Sequence, residues 1–140
     1  MRQYPGRTQE VPVVIEADIL FEHLEEWETA KQMPRLVTMI MSNDHIEGAL
    51  AGWCPLKACV ADNNLVLGKI VEALSHSTFW KSMAILVIED DNRYGVDHID
   101  GHRTVAMAAS PYARQRAIDS TFYGQPSLEK PSNSCSGCRR

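Results

Sequence analysis

The residues best equipped for chemistry lie at positions 89–103, Glu89-Asp-Asp-Asn-Arg-Tyr-Gly-Val-Asp-His-Ile-Asp-Gly-His-Arg103. These fifteen residues hold five carboxylates and two histidines against two arginines. Donors packed so densely repel one another unless a cation sits among them. Hard divalent cations take carboxylate oxygen, and zinc and iron also take imidazole nitrogen. Acidic stretches rich in Asp, Asn and Gly are more often solvated turns. A solvated turn has no need of His98 and His102 four positions apart, nor of Asp90 and Asp91 directly after an apolar run. The expectation is therefore a metal site. A second cluster, Ser42-Asn-Asp-His-Ile-Glu-Gly48, repeats the arrangement, with Asp44 and His45 following another apolar run. His45 by itself would read as a turn or cap residue. Paired with the first cluster, it reads as a ligand.

Such donors need elements to aim them. Residues 83–88, Met-Ala-Ile-Leu-Val-Ile, read as a buried parallel strand, and residues 35–41 as a second strand. Ligands bind beyond the carboxyl ends of such strands, and neighbouring parallel strands put both tips on one edge. Between them, residues 60–75 predict a helix with Val60, Leu67, Ile70, Val71 and Leu74 on one face, and with Asp62 or Asn63 near its first turn. Strand, helix and strand in that order predict a right-handed parallel βαβ unit. Residues 49–58, with Gly52 and Pro55, read as a connection. Residues 75–81 break the helix, with His76 a surface residue of that loop.

Upstream, Ile19, Leu20, His23, Leu24 and Trp27 recur at helical spacing within residues 15–32, an amphipathic helix stopped by Pro34. Downstream, residues 104–110 predict a third short strand closed by Pro111, followed by Arg114, Arg116 and the segment 118–123. Residues 1–12 read as a loose N-terminal arm and 127–140 as a disordered tail, leaving 13–126 as the folded part. Cys135 and Cys138 in that tail form a Cys-x-x-Cys, a spacing used in redox chemistry and in half of a zinc site. No second such pair accompanies it.

The chain has 140 residues, 44% hydrophobic and 23% charged, which suits one ordinary globular domain with a real core. A net charge of −4 argues against nucleic acid, whose phosphates want a basic face. Four cysteines form no clear secreted disulfide framework at this length. The start lacks an apolar signal core and no apolar run is of membrane-spanning length, so a cytoplasmic location is the default expectation.

In order along the chain stand Met41-Ser-Asn-Asp-His-Ile-Glu-Gly48, Val60-Ala-Asp-Asn-Asn-Leu-Val-Leu-Gly-Lys-Ile-Val-Glu-Ala73 and Trp80-Lys-Ser-Met-Ala-Ile-Leu-Val87. Asp90-Asp91, Gly95-Val-Asp-His-Ile-Asp-Gly-His-Arg103 and Ser110-Pro-Tyr-Ala-Arg114 follow. From about residue 34 to 123 this series resembles the alkaline phosphatase superfamily, in the branch of bacterial phosphoesterases related to phospholipase C and acid phosphatase. The resemblance implies a partial α/β/α sandwich with a mostly parallel sheet, and metal-dependent hydrolysis of phosphoric esters. It places Asp44, His45, Asp90 and Asp91 among metal ligands, His98 and His102 as metal ligands or phosphate contacts, and Arg103 on substrate phosphate or a neighbouring carboxylate. The implied cofactor is a divalent ion: zinc, manganese, iron or magnesium.

Departures accompany the match. The family's Ser or Thr nucleophile belongs to an earlier portion than the part matched, so the resemblance implies a carboxy-terminal portion of a larger enzyme. Asn64 replaces an aspartate, and Cys54-Pro55 stands where Thr-Pro is usual. Full-length relatives of this type can be exported. A partial sheet exposes edges and a face, which self-association or a partner supplying the missing half would cover. The alternatives are a non-catalytic metal-binding module and an inactive remnant.

Overall fold

The structure is a computed structural model, and it describes residues 11–43, 52, 54–89, 104–124 and 126–127. The chain divides into two compact units, residues 1–79 and 80–140.

In the first unit, helix α1 is Val13–Ala30 and helix α2 is Leu56–His76. Pro12 opens α1 with its fixed φ of −55°, and its carbonyl accepts the N–H of Ile15 at 2.9 Å. Glu16 lies in the first turn, where a negative charge suits the dipole. The helix stops at Lys31, which adopts φ 52°, and Gln32 N–H closes the turn on Trp27 O at 3.0 Å. Termination thus occurs three residues before Pro34, by a left-handed cap rather than by the proline.

Helix α2 begins at Leu56, directly after Pro55, so the expected connection over 49–58 ends earlier and the helix gains a first turn. That first turn carries no acid, and Asp62 and Asn63 fall in the second turn, not beside the helix start. His76 is the exposed last residue of α2, not a loop residue. The buried stripe of α2 is Cys59, Asn63, Val66, Ile70 and Leu74, whereas Val60 is exposed. It contributes with Val13, Ala17, Ile19 and Leu24 of α1 to the apolar core of this unit, and the two helices pack on each other.

Residues 35–41, expected as a strand, form no strand; Leu36, Val37 and Ile40 are exposed. A β-branched apolar run gains strand structure only where a neighbouring strand takes up its backbone groups. No strand is present among the described residues of this unit, so the βαβ unit does not form.

In the second unit a single turn of 3₁₀ helix, Trp80–Ser82, leads to strand β1, Ile85–Ile88, which pairs antiparallel with β2, Ala106–Ala109. The register runs Ile85↔Ala109 to Ile88↔Ala106. Ser110 Oγ donates to Met83 O at 2.9 Å and the Tyr112 hydroxyl to Lys81 O at 2.7 Å, fastening the open end of the ribbon. The expectation of a mostly parallel α/β/α sandwich is overturned: the described elements are two helices and a two-stranded antiparallel sheet. An uninterrupted apolar run is the pattern of a strand buried on both faces. Here Leu86 and Ile88 are exposed, and β1 pairs with an antiparallel, not a parallel, neighbour.

Candidate functional site

The two donor clusters are each entered through a stem that the structure describes. Asn63, in the second turn of α2, donates from Nδ2 to Met41 O at 3.5 Å, and Asn43 donates from Nδ2 to Asp62 Oδ2 at 3.4 Å. Successive residues of one helical turn, Asp62 and Asn63, thus bond two of the three positions immediately before Asp44, Met41 and Asn43. Ser42 is 4% exposed and Asn63 7% exposed. Their Oγ and Oδ1 atoms have no hydrogen-bond partner among the described residues. Buried oxygens left in that state cost free energy, so this corner is polar by composition and not by exposure. Reading the sequence alone put Asn63 near the helix start and missed its place on the buried stripe. The signal was present, because a polar residue sits in step with Cys59, Val66, Ile70 and Leu74 on an otherwise apolar stripe.

In the other unit the residues on either side of positions 90–103 are bonded to each other. Glu89 N–H donates to Val105 O at 3.0 Å, extending the β1–β2 ladder by one bond. Thr104 Oγ1 donates to Glu89 O at 3.0 Å and reaches Glu89 Oε2 at 3.3 Å. The chain therefore leaves at Glu89 and re-enters at Thr104 with those two residues in contact.

Beyond β2, Asp119 closes a small turn. Its Oδ1 accepts the Thr121 N–H at 2.9 Å and its Oδ2 the Tyr123 hydroxyl at 2.8 Å. Hydrogen bonds from the Thr121 side chain and backbone, and then from Tyr123, hold the Asp119 carboxyl below its ordinary value. The hydrogen bond to Asp119 pushes the Tyr123 phenol up.

On α1, His23 stacks on Trp27 with ring centroids 5.7 Å apart, and its Nδ1 lies 3.4 Å from Glu26 Oε2. Both rings line a cavity of about 260 Å³ with Ile19, Leu36, Val37 and Met39. Its lining is mostly apolar and suits packing better than ion binding.

Asp44, His45, Asp90, Asp91, His98, His102 and Arg103 lie outside the described residues, as do Cys135 and Cys138. Among the described residues no group of three or more His, Cys, Asp or Glu side chains is placed to hold a metal ion. No described helix is long and apolar enough to cross a membrane. A cysteine pairing not anticipated from the sequence joins Cys54 to Cys59. No protein-family model, curated protein or solved structure matches this chain.

Proposed function

We propose that this chain binds a divalent cation and a phosphoric ester, as a metal-dependent phosphoesterase would, through donors of residues 90–103. What supports the reading most is the tied neck between Glu89 and Thr104. The sequence between these two residues holds Asp90, Asp91, His98 and His102. Mutual repulsion among those carboxylates costs less when a cation is shared, and Asp with His donors suits zinc, manganese or iron. Magnesium fits the carboxylates alone. When bound, the ion supplies neutralisation of phosphoryl charge. In this reading Asp90 and Asp91 hold the ion, His98 and His102 hold the ion or a phosphate oxygen, and Arg103 pairs with phosphate.

The second reading is a cation- and phosphate-binding module without turnover. Self-association, or a partner completing the sheet, belongs to either reading. Isothermal titration with Mn²⁺ or Zn²⁺, beside an assay of an aryl phosphate, separates them. Both readings expect Asp90→Asn with Asp91→Asn to weaken cation binding by more than about tenfold. Hydrolysis lost in that variant supports the enzyme, and binding without hydrolysis supports the module. Cation affinity unchanged by the double substitution overturns both.

A further inference from the structure

We infer that Cys54 and Cys59 form a thiol–disulfide exchange site, and that its reactive sulfur is that of Cys54, which takes a low-molecular-weight thiol of the glutathione class. The two residues are joined as a disulfide with Cα atoms 5.9 Å apart and four positions between them in sequence. The bond closes a short ring over the start of α2. Inside that ring Pro55 O accepts the N–H groups of Ala58 at 2.8 Å and Cys59 at 3.1 Å.

The sulfurs are not equivalent. Cys54 is exposed, ahead of the helix. Cys59 is 7% exposed and lies in line with Val66, Ile70 and Leu74 of the core. An incoming thiolate therefore meets Cys54. Its attack makes a bond to Cys54 Sγ and breaks the bond to Cys59 Sγ, which departs with the electron pair and takes up a proton. Exchange is faster when the departing sulfur bears its charge well. Cys59 sits in the first turn of α2, at the positive end of the dipole, and Pro55 supplies no side-chain cap to compete there. A second thiolate then attacks the bound thiol's own sulfur, forming a small-molecule disulfide and releasing Cys54, which takes up the other proton. Two thiols are oxidised to one disulfide while the protein's disulfide gains two electrons and two protons.

The sequence makes the test direct, since trypsin cuts after Lys57, inside the ring. The full chain is equilibrated in glutathione buffers from wholly oxidised to wholly reduced, acid-quenched, alkylated and digested without reductant. Peptides 36–57 and 58–69 are expected to stay linked at the oxidised end and to separate within the titration without denaturant. Glutathione trapped midway should sit on peptide 36–57. Cys59→Ala should accumulate that adduct and Cys54→Ser should abolish it, with circular dichroism confirming that both variants keep their helices. Free alkylation of both cysteines before any reductant overturns the proposal. So does linkage that survives the most reducing buffer until the protein is denatured, or an adduct found on peptide 58–69.

Discussion

At the scale of single residues, Asp119 and Tyr123 give the clearest pH-dependent pair. The folded Asp119 carboxyl titrates below its ordinary 3.8, so its stabilising effect is present above that value and fades as pH falls through the folded value. Tyr123 titrates above 10.0 when folded, so its contribution is present below 10.0 and fades as pH rises through the folded value. Asp119→Ala removes the acceptor, and the Tyr123 titration should return towards 10.0. Phenolate absorbance shows this, with Tyr123→Phe identifying the one change among four tyrosines. No displacement on Asp119→Ala would mean that the 2.8 Å bond is not maintained in solution.

Two other residues occupy positions better suited to each other's chemistry. Gly68 is exposed within α2, and a Cβ added there meets nothing within 4 Å. Lys31 holds the left-handed cap of α1 at φ 52°. Gly68→Ala should raise stability by about 0.5–1 kcal/mol, since glycine loses more backbone freedom on folding than alanine. Lys31→Gly should raise it by a similar amount, roughly 0.5–1 kcal/mol, by relieving the left-handed cost. Urea melts read both; a loss in either would show that Lys31 or the open face beside Gly68 makes contacts that matter.

At the scale of elements, what was legible in the sequence depended on whether the signal was local. Both helices were recognisable because a 3.6-residue apolar period is written along one segment. Their ends were less so. Pro34 reads as a stop signal but does not say that the chain turns at Lys31, and Pro55 reads as part of a loop although a proline also opens helices. Strands were a different matter. The run 83–88 contains β1, but its partner and direction are set by residues about twenty positions away, and apolarity carries no direction. Residues 35–41 have strand composition without strand structure for the same reason.

The β1–β2 ribbon also carries the most specific element-level expectation. Thr104→Val keeps the shape of the side chain and removes the donor to Glu89 O. The loss should be about 0.5–1.5 kcal/mol, as for one net hydrogen bond, and smaller if water replaces it at this exposed position. Amide exchange is the sharper readout. The Glu89 N–H, bonded to Val105 O, should exchange several-fold faster once the neck opens. An unchanged exchange rate at Glu89 would place closure in the strand ladder alone and remove the neck from the argument for the site.

At the scale of the whole molecule, apolar surface sets the expectation. Within the first unit Leu36 is 54% exposed and Ile40 49%, and within the second Ile118 is 95% and Phe122 71% exposed. Isolated exposed apolar residues are ordinary, but several close together in one segment offer an apolar surface to another chain. The carboxylates and imidazoles were legible in the sequence as types, whereas strand pairing is the least local of the signals. Sedimentation velocity across a concentration series should therefore show reversible association of this chain. Leu36→Lys with Ile40→Lys should weaken it if the 35–41 segment is the contact, and Ile118→Lys should do so if the second unit supplies it. A sample that stays monomeric over the whole series would mean that these segments tolerate water as they stand, and the case for a strand-supplying partner would fall with it.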